Sequence, residues 1–297
     1  MVLNRAFKRK TTSEIAFEVI VYCLLTLILL VTLYPFLYVI FAAFSDPYEV
    51  VTNTGLLFWF KGFTVDTFVE VLHTNDIWIG FRNSVMYVLI GVTINMTLTI
   101  LGGYTLSRKK LKFRNVIMLG IVFTMIFKGG LIPTYILVRQ LGLTNTLWAV
   151  LLPSAINTMN LVIMRTGFAG VPEELEESAR IDGAGDFMIL TRILLPVTMS
   201  TVLTLVMYYA VSRWNAWFSA FIYLRNRQLM PLQIFLREIL IQEKTSTIKD
   251  GGNASEVWRD QTFKYCTIVI STLPIMLVFP FIQKYFGKGV MVGAIKG

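Results

Sequence analysis

The chain has 297 residues, of which 55% are hydrophobic and 15% are charged, and its mean hydropathy is +0.65. A water-soluble protein of this length needs about a quarter of its residues charged to cover its surface, so this composition excludes a soluble fold. The net charge of +9 does not indicate nucleic-acid binding, because the basic residues lie in short clusters between long apolar segments, where they act as orientation signals.

Six apolar segments follow one another along the chain, and each is long enough to cross a hydrocarbon layer, which takes roughly 20 helical residues. Backbone amides in lipid must be hydrogen-bonded within their own segment, so each segment is predicted to be a helix. The sequence therefore predicts an all-α integral membrane protein with a membrane domain over residues 19–286. The predicted spans are residues 19–44, 84–106, 116–138, 147–168, 197–224 and 266–286.

The charges between the spans predict the orientation. The N-terminal tail, residues 1–18, has four basic residues before its first acid, and the loop 107–115 has five basic residues and no acid. Both are expected in the cytoplasm, and an even number of spans brings the C-terminal tail 287–297 there as well. The extracytoplasmic loop 225–265 has seven basic residues and five acidic ones, which fits the rule poorly, but the two acid-free clusters outweigh it.

Polar side chains at membrane depth are concentrated in spans three to five. Lys128 lies in the middle of span three and Arg213 in span five, and a buried charge costs at least about 2.5 kcal/mol on insertion scales. Each cation is expected to face protein or a water-filled path, or else to reach an interface or pair with a carbonyl. The other candidates either line the same path or bond between helices. They are Asn157, Asn160, Tyr208, Tyr209, Trp214, Asn215 and Trp217.

The loop between spans four and five, residues 169–196, carries the most specific pattern in the chain. Pro172 suits the first position of a helix, and the acidic residues after it suit the positive end of the helix dipole. Glu176 and Arg180 stand four residues apart and can pair along one face. Residues 182–185 are small or polar and favour a turn that another surface can approach closely. From these features alone, a hairpin that merely joins two spans is as good an interpretation as a functional one.

The extracytoplasmic loop begins with an amphipathic segment. Apolar residues recur at helical spacing over residues 232–242, so this segment is expected to lie on the membrane surface or against span five. The stretch 244–255 that follows is polar and contains glycines, and it is expected to be an exposed, mobile tip.

The loop between spans four and five also contains a motif of defined spacing. It has Glu-Ser-Ala at 177–179, then three residues, then Gly183, and Ile-Leu-Leu-Pro at 193–196. This pattern resembles the EAA loop of permeases from binding-protein-dependent ABC importers, with Ser178 in place of the usual first alanine. Three further stretches look like the carbohydrate branch of that family, the maltose-type G permease and its relatives for complex or acidic oligosaccharides. They are residues 129–135, 214–215 and 294–297.

The resemblance implies a type I ABC importer permease of the MetI-like fold, a multi-pass protein of the bacterial cell membrane. Such a chain forms half of the translocation path for an oligosaccharide, which an extracytoplasmic binding protein delivers. A second homologous permease completes the path, and two ATP-binding cassette subunits bind MgATP. No catalytic residue, cofactor or metal is implied in this chain, whose only Gly-Lys pair, at 287–288, is not part of a P-loop.

By the same resemblance, the loop helix docks on an ATPase. Where the polar residues of spans three to five line the path, they are expected to hold the sugar, since sugars are bound through hydrogen bonds and aromatic faces. Two cations in the path would favour an anionic sugar. The tip 244–255 either touches the binding protein or is a disordered tether. The predicted ATPase-coupling residues are Glu174, Glu177, Ser178, Ala179, Asp182, Gly183 and Ala184.

Two other classes of function fit the sequence less well. A secondary transporter or channel working alone would need a site for a coupling ion, and the six predicted spans contain no Asp or Glu. A membrane enzyme would need a nucleophile with its base, or metal ligands, and His73 is the only histidine. Cys23 and Cys266 are interpreted as packing residues within or beside apolar segments.

Overall fold

The computed structural model describes residues 11–246 and 254–294, and the side chains of residues 11–241 and 258–280. The described residues form helices and no β-strand, which confirms the predicted all-α class. Residues 1–10 of the N-terminal tail and the side chains of the tip 244–255 and of the C-terminal tail 287–297 lie outside this description.

The chain divides into two compact units. The first consists of Met1–Val71 and Glu243–Val269, and the second of Leu72–Gln242 and Ile270–Gly297. The long C-terminal helix α15 (Ala254–Ala294) contributes residues to both.

The first unit contains α1 (Thr12–Ala43), α2 (Pro47–Thr52) and most of α3 (Asp66–His73). The helix α1 begins at a capping box, in which Thr11 and Glu14 each bond the other's backbone N–H. No residue in the most apolar part of α1 is buried within this chain, as expected for a helix that faces lipid or another protein.

A small core closes the C-terminal end of α1. Ala42, Val50 and Leu57 are buried there together. Cys266 is buried as well, and its thiol donates a hydrogen bond to the carbonyl of Ala43 at 3.3 Å, in keeping with a packing role. Cys23 is exposed on α1, so it has no packing role within this chain.

The second unit is built on α4 (Asn75–Ser107), which packs along α8 (Thr158–Ala169) and α12 (Met199–Trp214). Its other long elements are α5 (Arg114–Ile126), α6 (Leu131–Gln140) and α14 (Leu232–Ser246). The shorter ones are α7 (Leu147–Leu151), continued by the 3-10 turn Leu152–Ser154, and α9 (Glu173–Ile181), α10 (Asp186–Met188), a π-helical turn Ile189–Leu194, α11 (Leu195–Val197) and α13 (Phe218–Tyr223).

Three of the described helices are long and apolar enough to cross a membrane: Thr12–Ala43, Asn75–Ser107 and Trp258–Pro280 within α15. The other three predicted spans are bent pairs of helices. The pairs α5 and α6, α7 and α8, and α10–α11 and α12 are bent by 109°, 53° and 85°. The number of spans reaches six only if each bent pair is one span, so the six spans and their orientation stay predictions.

The helix ends also differ from the predicted boundaries, for local reasons. At the break between α5 and α6, Gly130 has φ +84°, in the left-handed region that favours glycine. At the start of α8, the Asn157 side chain accepts a hydrogen bond from the Asn160 backbone N–H at 3.1 Å and caps the helix. The predicted fifth span, 197–224, is interrupted because α12 ends at Trp214 and α13 begins at Phe218.

Candidate functional site

The loop with the EAA-like motif folds into a helical hairpin, residues 173–188, called the hairpin below. Its first helix, α9, begins at Glu173, and Pro172 is the residue before the helix and not its first member as predicted. The helix ends in a Schellman motif: the N–H of Ala184 bonds the carbonyl of Ala179 at 2.9 Å, and that of Gly183 bonds the carbonyl of Arg180 at 3.1 Å. Gly183 has φ +81°, so the glycine of the motif is the residue that ends the helix.

The exposed side of the hairpin is acidic and apolar at once. Of the predicted coupling residues, Ala179 and Ala184 are half-buried and pack on the core. The exposed coupling residues are Glu174, Glu177, Ser178, Asp182 and Gly183. Ile181 is 87% exposed and Phe187 is 75% exposed. Neither is among the predicted coupling residues, because the motif that predicts those residues is defined by acidic and small residues.

A buried ion pair fastens the hairpin to the end of α4. Glu176 is 8% exposed and pairs with Arg108, the residue that follows α4. The Arg108 guanidinium also bonds the Ser107 hydroxyl at 2.8 and 3.0 Å and lies 4.8 Å from the centre of the Tyr104 ring.

The predicted pair of Glu176 with Arg180 does not form. Arg180 instead pairs with Asp186 at 2.5 Å, across the hairpin turn. The hydrogen bond to Asp186 raises the pKa of the Arg180 guanidinium above its ordinary value. Tertiary partners thus replace the local pairing that the four-residue spacing predicts.

Five of the nine predicted path residues line one polar pocket of about 220 Å³ between α12 and the break that separates α7 from α8. These five are Asn157, Asn160, Tyr208, Tyr209 and Arg213. Ser154, Ser212 and Ser219 line it too, and the sequence interpretation missed them, because a serine in an apolar helix has no distinctive spacing. All lining residues are described, and Arg213 is the only charged one among them.

Arg213 is 7% exposed, and every one of its N–H groups is hydrogen-bonded within the protein. Its Nε donates to Asn95 Oδ1 at 3.0 Å, Nη1 to the Val150 carbonyl and the Ser154 hydroxyl at 3.2 and 2.9 Å, and Nη2 to the Leu151 and Ser154 carbonyls at 3.1 and 2.8 Å. The alternative interpretation, pairing with carbonyls, is therefore the one observed. Arg213 therefore has no N–H group left over for a sugar, and its predicted role in the path stays a prediction.

Two other lining residues also make bonds between helices. The Tyr209 hydroxyl lies 2.8 Å from the Thr99 hydroxyl and accepts a hydrogen bond from the Asn157 backbone N–H at 3.2 Å. The Asn157 side chain is the cap of α8. Asn160 differs, because its side chain is buried and makes no hydrogen bond with any described residue. The whole side-chain amide of Asn160 is thus available to a ligand.

The remaining predicted path residues lie outside this pocket. Lys128 is exposed in the break between α5 and α6, because the chain leaves the helix there. The Trp214 indole N–H donates to the Ser271 carbonyl at 3.0 Å, and the Asn215 side chain bonds the Val211 carbonyl of its own helix at 2.9 Å. Trp217 packs beneath the guanidinium of Arg237. Their roles in transport stay predictions.

Comparisons with known proteins bear on both sites. The family model "Binding-protein-dependent transport system inner membrane component" matches residues 99–224, which include the hairpin and all the lining residues of the polar pocket.

Curated relatives match nearly the whole chain, among them two transport system permease proteins. The polygalacturonan/rhamnogalacturonan transport system permease protein YtcP of Bacillus subtilis is 38% identical, over 95% of this chain and 98% of its own length. The arabinooligosaccharides transport system permease protein AraQ of Halalkalibacterium halodurans is 27% identical, over 98% of this chain and 100% of its own.

A solved structure has the same fold. It is a chain from a bacterial ABC transporter involved in the import of the acidic polysaccharide alginate, and it is 29% identical. The alignment has a TM-score of 0.85 and covers 93% of this chain and 99% of that one.

Proposed function

The chain belongs to the family of binding-protein-dependent transport system inner membrane components and is a permease component of an ABC importer for sugars or oligosaccharides, and from this premise we propose its partners and its substrate. It forms half of a translocation path in the bacterial cell membrane, with six spans and both termini in the cytoplasm. A second homologous permease completes the path, an extracytoplasmic binding protein delivers the substrate, and two ATPase subunits bind MgATP and drive import.

The hairpin is the docking site for an ATPase subunit. The observation that carries this proposal is the exposure of Ile181 and Phe187, one on each helix of a hairpin that the Arg108–Glu176 pair attaches to α4. Large exposed apolar side chains mark a contact surface. Exposed acids beside them, Glu174, Glu177 and Asp182, make lipid an unsuitable partner, because burying a carboxylate in hydrocarbon is costly. A protein with an apolar cleft and a basic rim is the matching partner.

Motion of the hairpin reaches the polar pocket through close-packed side chains. Behind the hairpin, Ile189 and Leu194 are fully buried against Met164 and Phe168 of α8. Packed cores transmit displacement because they have few voids to absorb it. The same cluster includes Tyr209 of α12, which lines the pocket, so force on the hairpin moves the pocket wall.

The substrate is an acidic oligosaccharide. Support for this comes from YtcP, named for polygalacturonan and rhamnogalacturonan, and from the importer of the acidic polysaccharide alginate. Within the pocket, hydroxyl and amide groups such as Tyr208 and Asn160 suit sugar hydroxyls. Its volume of about 220 Å³ is below the range of roughly 300–1,000 Å³ typical of ligand sites, which fits a path shared with a second permease.

The experiment is reconstitution of the whole importer in proteoliposomes. Ile181→Ser and Phe187→Ser should each reduce copurification of the ATPase subunits and reduce ATP-dependent uptake by at least about tenfold, which corresponds to 1.4 kcal/mol of contact energy. The matched control is Leu56→Ser, an exposed apolar residue of the first unit, which should leave both unchanged. Full ATPase association and uptake in both hairpin variants, or sugar uptake by the chain without any ATPase, would contradict the proposal.

A further inference from the structure

An acidic substrate needs a cation, and the polar pocket does not supply a free one. Its single charged residue, Arg213, has every N–H group bonded within the protein. A carboxylate that enters this pocket therefore requires a donor from beside it. This inference rests on the proposed function and names the residue that would recognise the charge.

Arg237 on α14 is such a donor. Its guanidinium carbon lies 3.5 Å from the centre of the Trp217 ring and 5.4 Å from that of the Phe221 ring. Its Nη1 is buried and has no hydrogen-bond partner among the described residues. A buried N–H without an acceptor is unfavourable, and more so when the group is charged, so this geometry favours binding of an anion.

Stacking is the arrangement that leaves a guanidinium free to bind. The face of the Trp217 ring holds the guanidinium through its charge and its planar surface, and this contact uses none of its N–H groups. Those N–H groups lie in the plane of the guanidinium and match the two oxygens of a carboxylate.

The helix that carries Arg237 is held firmly against α4. The backbone N–H of Leu232 donates to the Ser84 hydroxyl at 2.9 Å. Gly80 allows the close approach, because a Cβ at that position would lie 2.8 Å from Leu232 Cα and 2.7 Å from the Phe235 ring. The position of Arg237 is therefore fixed before any ligand arrives.

Trp217 connects Arg237 to the polar pocket. It lies between Ala216 and Ser219, which both line the pocket. It also packs on the cluster that contains Val150 and Leu151, whose carbonyls bind Arg213. Trp217 is thus next in sequence to a residue of the pocket wall and packs on the cluster that holds Arg213, and Arg237 stacks on Trp217.

We propose that Arg237 determines specificity by binding the carboxylate of an acidic sugar unit at the edge of the polar pocket, with Trp217 holding the guanidinium in place. Arg227, on the segment before α14, provides the contrast. It pairs with Asp76 at 2.7 Å and with Glu238 at 3.0 Å, so its charge is already balanced.

The test compares one sugar in two charge states. The reconstituted importer takes up either trigalacturonic acid or its fully methyl-esterified form, which has a similar shape and no charge. Arg237→Gln should lower uptake of the acid by about tenfold and change uptake of the ester less than twofold. Arg237→Lys should keep part of the preference, because it retains the charge and loses the bidentate geometry. The control Arg227→Gln should leave the acid-to-ester ratio unchanged.

The outcomes separate this inference from the proposed function. Because every variant uses the same binding protein, the selectivity of that protein cancels when acid-to-ester ratios are compared between variants. The role of Arg237 is overturned if Arg237→Gln leaves the acid-to-ester uptake ratio unchanged. It is also overturned if Arg237→Gln and Arg237→Lys both reduce uptake of the two sugars equally. If the wild-type complex still imports the acid in either case, the proposed function stands. If the wild-type complex imports neither sugar with ATP, the proposed acidic substrate fails and the role of Arg237 fails with it.

Discussion

Arg108 and Glu176 form an ion pair across 68 positions of the sequence, and this pair joins the end of α4 to the hairpin. Glu176 is the only buried carboxylate among the side chains that the structure describes, and its neighbour Glu177 is exposed. Two adjacent glutamates therefore have opposite tasks: one attaches the hairpin to its own protein, and the other is available to a partner.

Breaking the Arg108–Glu176 pair should destabilise the hairpin. Removing one member of a buried pair leaves an uncompensated charge, which costs about 3–5 kcal/mol in a fully buried site and less here, where Arg108 is partly exposed. We expect Glu176→Ala to lower the melting temperature of the purified complex and to abolish coupled uptake. The exchange Arg108→Glu with Glu176→Arg should restore part of both.

The control for this prediction is the nearby ion pair of Lys109 and Glu173. The Lys109 Nζ lies 2.9 Å from the Glu173 Oε1, and both side chains are well exposed. Exposed pairs contribute about 0–1 kcal/mol, so Lys109→Ala should change the melting temperature little. An equal effect of Lys109→Ala and Glu176→Ala would contradict the attachment role.

Glu177→Ala should separate folding from coupling. Glu177 is exposed and makes no hydrogen bond or ion pair with a described residue, so its loss should leave membrane insertion and the melting temperature unchanged. If it contacts an ATPase, sugar uptake should fall while basal ATP hydrolysis continues. Unchanged uptake would remove Glu177 from the docking surface.

Gly183→Ala should strain the end of the hairpin helix. A Cβ at Gly183 would meet no atom within 4 Å, so the cost comes from the backbone, where φ +81° disfavours an L residue by about 1–2 kcal/mol. Gly185→Ala is a close control, because Gly185 has equally open surroundings and φ −77°. We expect a lower unfolding temperature and weaker coupling for Gly183→Ala and neither for Gly185→Ala. Equal behaviour of the two variants would show that the left-handed backbone is not what this position requires.

Arg213→Gln should unfold the pocket and not merely change its selectivity. The substitution removes five hydrogen bonds and leaves the carbonyls of Val150, Leu151 and Ser154 without their donor at a buried position. We expect the free energy of unfolding to fall by at least about 3 kcal/mol, and uptake of charged and neutral sugars to fall together. The control Lys128→Gln, at an exposed position, should change stability by less than about 0.5 kcal/mol. Selective loss of acidic sugars in Arg213→Gln would contradict this role.

Hydropathy and motif spacing predicted the all-α class, the family and the hairpin, because each depends on local composition. They could not predict the breaks near Gly130 and Thr198, since the hydropathy of an apolar segment is the same whether the segment is straight or bent. The partners of Glu176 and Arg213 are distant in sequence, and only the folded chain brings them together. Arg237 was missed because its amphipathic helix indicated a surface position, and the unpartnered N–H group is a property of three-dimensional packing.

The left-handed Gly183 gives the hairpin one further property. Since the Schellman bonds end α9 within the free chain, the direction of the helix is set before docking, and binding of a partner need not order it. Association then loses little conformational entropy in this segment. A nucleotide-driven movement of the partner would consequently displace the hairpin as a rigid unit, because little of that movement would be lost to refolding within the hairpin.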